Sequence, residues 1–235
     1  MSGTALGTLF SFGADSWLRA MLGGFAVTIA CAVLGYAFGL VLGLCLALAK
    51  LGRSRLLVVA AQTYTTLLRG VPPLLVIFLL FFGTNGALMW IARGFGHTGY
   101  IEIDAFAIGT LAVALVSAAY SSEVLRAAYL AVPRGQFEAC AALGLKPWAG
   151  LWTVILPQML RIALPGLGNV WIMAVKETTL LSVISLAELM RVAGLAGRAT
   201  GQPFVFYGIA AVLYFLLIAL STRLLRRVEF RFRWA

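Results

Sequence analysis

The 235-residue chain is 62% apolar and only 11% charged, with a mean hydropathy of +1.00. Soluble domains carry about 25% charged residues, so this is a membrane chain, and the question is how often it crosses. The formal charge of +10 does not indicate nucleic acid. Lys and Arg sit at the ends of apolar runs, which is the pattern of a cytoplasmic membrane flank.

Cys31, Cys45 and Cys140 show no CxxC spacing, and His97 is the only histidine. Neither a metal site nor a disulfide framework is expected. Residues 1–18 are small and Gly-rich. They lack a basic stretch before an apolar core, so a cleaved signal peptide is not expected.

Ala20–Ala49 carries no charge. A span needs about 20 residues, so this is the first transmembrane helix. Gly35, Gly39, Gly43 and Ala47 recur every fourth residue and put small side chains on one face, where a second helix can approach closely. Lys50, Arg53 and Arg55 then form a basic loop. The next span is expected over 56–83, broken near 70–73 by Gly70, Pro72 and Pro73. Such breaks are tolerated where they face protein or a cavity. Arg69 is placed near the membrane boundary or against a partner. A loop over 83–104 precedes a third span, Ala105–Ser122. Glu123 and Arg126 follow, three residues apart on a helix and therefore able to pair.

A polar stretch, Val132–Trp148, interrupts this pattern. Pro133 suits a helix start, Arg134–Leu143 reads as a short helix, and Gly144 suits the left-handed position that ends it. Pro147 restarts the chain, with Trp148 and Trp152 at the interface. The fourth span opens at Arg161–Asn169 and reaches Ile184. Residues 185–200 read as a surface helix carrying Glu188, Arg191 and Arg198, Gly201-Gln202-Pro203 as a turn, and the fifth span lies within 199–222. The fold is all-α with five transmembrane helices.

Lys and Arg counts set the sidedness. The 50–55 loop, the 126–161 segment and the C-terminal tail together hold 12 basic residues, whereas the opposite flanks hold 4. The polar stretch and the C-terminus are therefore expected in the cytoplasm, and the N-terminus outside.

Glu138-Ala139-Cys140, Gly144 and Ile155-Leu156-Pro157 resemble the EAA loop of ABC-importer permeases, with Cys140 in place of the second Ala. Leu68-Arg69-Gly70-Val71-Pro72, Glu123-Val124-Leu125-Arg126, Val132–Gln136 and Lys176-Glu177-Thr178-Thr179-Leu180 are similar to the polar-amino-acid branch. Tyr64–Pro72 and Arg161–Asn169 look closest to its histidine/lysine/arginine/ornithine and opine permeases. The resemblance covers roughly residues 20–227.

It implies a type I importer in the bacterial inner membrane, with residues 1–235 as one transmembrane domain and a coupling loop over about 132–157. Two cytoplasmic ATPase subunits would grip Arg134, Gly135, Gln136, Glu138, Ala139 and Gly144. A second permease, paralogue or copy, would complete the pathway, and a periplasmic or lipid-anchored binding protein would deliver the amino acid. ATP and Mg2+ would belong to the ATPases. This chain has no Walker-type phosphate loop and is expected to bind no cofactor and catalyse nothing itself. The implied substrate is a polar, basic amino acid or an opine. Glutamine or glutamate is the alternative.

Lys176-Glu177 is an adjacent charged pair about 14 residues into the fourth span, or ~21 Å. Intramembrane charges default to functional sites. Lys176 can meet a substrate carboxylate and Glu177 a cation, with Asn169, Thr178 and Thr179 as polar neighbours. The alternative is a structural pair bridging helices, since adjacent side chains diverge by about 100°. Arg69, Pro72, Glu123 and Arg126 are assigned structural roles. A secondary transporter should show an inverted repeat, and none is visible. An embedded enzyme should show paired histidines or a GxSxG with a histidine, and neither occurs.

Overall fold

The computed structural model describes residues 16–94 and 103–233. The expectations placed on residues 1–15, His97 and Glu102 lie outside the described residues. Among these, every regular element is helical. In chain order they are α1 (Trp17–Leu51), α2 (Arg55–Gly70), α3 (Pro73–Gly94), α4 (Ala105–Ala131), α5 (Arg134–Ala142), α6 (Pro147–Gly150), a π turn (Leu151–Ile155), α7 (Leu156–Glu177), a 3-10 stretch (Thr178–Ile184), α8 (Leu189–Thr200) and α9 (Pro203–Arg233). Five helical runs are long and apolar enough to cross a bilayer: Trp17–Leu51, Pro73–Ile91, Ala105–Ala131, Pro147–Ile184 and Pro203–Arg231. The all-α, five-span architecture read from the sequence is the one observed.

Several boundaries differ. The expected span over 56–83 is two helices. Amphipathic α2 ends at Gly70, and α3 begins at Pro73 and continues to Gly94, through what was expected to be loop. Pro72 and Pro73 cannot donate to a helical ladder. The Pro72 carbonyl instead accepts from Leu75 and Val76 and starts α3. The third span continues past Ser122 to Ala131, so Glu123 and Arg126 lie within it. The fourth begins at Pro147 rather than Arg161, and Pro165 sits inside α7 instead of opening it. Pro157, in the first turn of α7, lacks an amide hydrogen and cannot donate back into the turn before it. The preceding turn widens to π, with Leu156 donating to the Leu151 carbonyl five residues back.

By contacts the chain forms two compact units: Met1–Gly35, Val71–Val113 and Ala174–Ile218, and Tyr36–Gly70, Ala114–Met173 and Ala219–Ala235. In the first, Met21, Leu189, Val192, Ala193, Ala196 and Phe206 form the core. Trp17 lies edge-on to Phe206 with ring centroids 6.5 Å apart. The α8 segment, expected on the surface, thus buries one whole face. A Cβ on Gly35 would lie 2.7 Å from Val113 Cγ1. In the second, Ala47, Leu125, Ala128, Val132, Ile155, Met159, Ala163 and Leu167 form the core. There a Cβ on Gly39 would lie 2.7 Å from the Ala114 carbonyl, and one on Gly43 2.8 Å from Ser121 Cβ. The four-residue glycine spacing on α1 therefore serves the close approach of α4 for which it was read.

Candidate functional site

The short helix α5 forms where expected, with Leu143 as its C-cap and Gly144 at φ +67°. The Leu145 amide donates to the Cys140 carbonyl, and the Gly144 amide to that of Ala141. This pair of bonds ends a helix with a left-handed residue, and only glycine adopts that conformation at no steric cost. No residue of α5 is buried. Arg134, Gly135, Glu138, Ala139 and Gly144 are exposed, whereas Gln136 is half-buried and its Oε1 accepts from Gln158 Nε2 at 3.2 Å. Phe137 packs edge-on against Tyr129, centroids 5.7 Å apart. Buried Gly150 faces Cys140, which a Cβ would approach to 3.1 Å. Thus α5 rests on the membrane helices through Phe137 and Cys140 and presents its charged side outward.

The end of α4 that leads into α5 carries an ion-pair hub. Glu123 and Arg126 pair at 3.3 Å, as their spacing suggests. The nearer cation is one the sequence reading placed in a loop: Lys50, at the end of α1, lies 2.7 Å from Glu123 Oε1 with its side chain 1% exposed. Its other donors meet Thr65 Oγ1 at 2.7 Å and Ser122 Oγ at 3.3 Å. All three ammonium hydrogens are therefore used. Arg69 is farther, 3.9 Å from Glu123 Oε1, and its guanidinium stands 5.4 Å from the centroid of the Tyr120 ring. The hub ties α1, α2 and α4 together through one carboxylate. Pro72 is not part of it.

Lys176 and Glu177 point different ways. Lys176 is exposed, whereas Glu177 is 8% exposed and Thr178 fully buried. Thr178 Oγ1 donates to the Val175 carbonyl at 2.7 Å, and Thr179 Oγ1 to that of Lys176 at 2.8 Å. These hydroxyls satisfy carbonyls freed where α7 tightens into the 3-10 stretch. Asn169, on the same helix α7 as Lys176, is exposed.

Sequence reasoning placed Glu188 on a surface helix, whereas it is fully buried. Its carboxylate caps α8, accepting from the amides of Met190 at 2.9 Å and Arg191 at 2.7 Å. Tyr214 Oη lies 3.0 Å and Thr28 Oγ1 3.4 Å away. Burial raises its pKa, while the hydrogen bonds from the two amides and the two hydroxyls pull it back. The local signal was present: an acid one residue before a helix is an N-cap pattern.

A family model described as the inner membrane component of binding-protein-dependent transport systems matches residues 35–234. The chain belongs to this family. It is 45% identical to the nopaline transport system permease protein NocQ of Agrobacterium fabrum, over 97% of this chain and 96% of that protein. It is equally identical to the octopine transport system permease protein OccQ of Rhizobium radiobacter, covering 95% and 94%. A solved amino acid ABC transporter, crystallised with histidines, superposes with a TM-score of 0.79 at 32% identity, covering 92% of this chain and 95% of that one. The chain is thus a multi-pass permease of the ABC-importer type, and transport rather than catalysis is the family's activity. Permeases of this family work with ATPase and binding-protein partners.

Proposed function

We propose that the chain is the permease subunit of an ATP-driven importer for polar, cationic amino acids or opines in the bacterial inner membrane. The similarity to permeases named for nopaline and octopine transport supports the substrate class. One transmembrane domain spans residues 1–235, with its N-terminus outside and its C-terminus in the cytoplasm, as the Lys and Arg bias favours. The loop over 132–157 faces two ATPase subunits, which hold the ATP and Mg2+. A second permease, copy or paralogue, closes the pathway, and a periplasmic or lipid-anchored binding protein delivers the substrate.

The observation that carries this reading is α5: a helix with no buried residue, anchored by aromatic and glycine contacts and joined directly to the helix bearing the Lys50–Glu123 hub. Arg134, Gly135, Gln136, Glu138, Ala139 and Gly144 form its docking face. Movement of the ATPases would reach α4 through that junction.

Within the pathway, Lys176 faces outward from α7, Thr179 is half-buried just beyond it, and Asn169 adds an exposed amide. Lys176 meets the substrate carboxylate. Glu177 and Thr178 turn inward and support the helix. An exposed ammonium about 15 Å from the end of a span needs water or a partner subunit beside it, as a pathway provides. Arg69, Pro72, Glu123 and Arg126 keep structural roles.

The deciding experiment reconstitutes the complex and measures binding-protein-stimulated ATP hydrolysis across a panel of basic amino acids, neutral amino acids and opines. Stimulation by the cationic members is expected. Uptake that persists with the ATPase inactivated overturns the importer reading. Lys176→Ala should lower uptake of every carboxylate-bearing substrate at least tenfold, about 1.4 kcal/mol. Unchanged uptake removes Lys176 from the pathway.

A further inference from the structure

One cleft of the first unit is unlike the apolar surface around it. It has a volume of 260 Å³ and is lined by Ser182, Val183, Met190, Arg191, Gly194, Arg198 and Tyr207. Arg191 and Arg198 stand two turns apart on one face of α8, about 10 Å along the axis. Gly194 lies between them, and its missing side chain makes room for Tyr207, since a Cβ there would lie 3.1 Å from the hydroxyl oxygen. Two guanidiniums and two hydroxyls therefore surround an apolar floor, and no acid lines it.

The nearest carboxylate in sequence, Glu188, does not neutralise this cleft. It is fully buried, and its oxygens are taken by the Met190 and Arg191 amides and by Tyr214. Among the described residues, neither Arg191 nor Arg198 has an ion-pair partner. No carboxylate lining the cleft offsets these two positive charges, and planar guanidiniums fit a carboxylate.

We propose that this cleft is a docking point for an acidic side chain, Asp or Glu, on the binding protein that delivers substrate. The proposal rests on the importer reading and on the outward placement of α8. One magnitude favours this occupant over the free amino acid. An exposed ion pair contributes about 0–1 kcal/mol, too little to hold a free amino acid. It is enough to steer and register a protein whose other contacts supply the affinity.

The test uses the complete transporter in nanodiscs, titrated with its own binding protein while ATP hydrolysis is followed. Arg198→Gln, and Arg191→Gln combined with Arg198→Gln, should raise the concentration for half-maximal stimulation, about tenfold for the pair. They should also flatten its dependence on salt and leave basal hydrolysis unchanged. Arg198→Glu should be worse, and a compensating acid-to-Lys change on the binding protein should restore it. Variants indistinguishable from a responsive wild type overturn this site alone. So does a change confined to the substrate concentration needed for uptake, which assigns the carboxylate to the substrate. A wild type that ignores its binding protein overturns the importer reading as well.

Discussion

Lys50 shows what a single side chain does in this fold. Its ammonium is fully removed from water and makes three hydrogen bonds, one of them to Glu123. Its removal leaves Glu123, whose side chain is 27% exposed and which keeps Arg126 at 3.3 Å, so the loss is that of a hydrogen bond to a charged group. Lys50→Met should lower stability by about 1.5–3 kcal/mol, read as a drop in Tm in detergent, with Lys50→Arg milder. Equal Tm values for Met and wild type would show that Arg126 alone satisfies Glu123. Glu188 is the acidic counterpart. Burial holds its pKa above the ordinary glutamate value, so its contribution to stability is full below that value and is lost as pH rises through the elevated one. Tm should therefore fall over that rise, and Glu188→Gln should flatten the slope. A slope unchanged by the substitution would assign the pH dependence to another group.

At the scale of elements, the α1–α4 contact depends on the absence of side chains. Backbone and Cβ atoms of α4 stand within 3 Å of where Gly39 and Gly43 would carry a Cβ, whereas nothing lies within 4 Å of Gly23. Gly39→Leu should destabilise the protein by at least the 1–3 kcal/mol typical of overpacking, and Gly23→Leu should leave Tm unchanged. Similar effects from both would mean that helix propensity dominates over packing. The spacing of these glycines was visible because a period of four residues is a property of one helix. The break at Gly70–Pro73 was visible too, since proline removes a donor wherever it occurs. Pro165 went the other way: α7 continues through it, which the local rule for proline does not predict.

At the scale of the molecule, a transporter has to pass movement from partner subunits into its spans. Glu138 is exposed, so Glu138→Lys should leave folding and insertion intact while abolishing assembly with the ATPase or stimulated hydrolysis. Gly144, at φ +67°, separates geometry from charge. Asn tolerates the left-handed conformation and Val does not, so Gly144→Asn should retain more transport than Gly144→Val. Normal uptake in Glu138→Lys would detach α5 from coupling.

The sequence by itself determined the membrane class, the five spans, the short helix with its glycine stop, and the small-residue face of α1. Each is written in composition or in residues a few positions apart, where hydropathy, periodicity and backbone conformation act locally. Only the tertiary structure decided that Lys50 belongs to a buried hub rather than a loop. It alone turned Glu188 inward as a helix cap, parted Lys176 from Glu177, and put Arg191 and Arg198 in one cleft with Ser182 and Tyr207. Those outcomes join residues on different helices, or depend on which face of a helix packs. The energy of a charge is set by what surrounds it, and the chain brings those surroundings together only on folding.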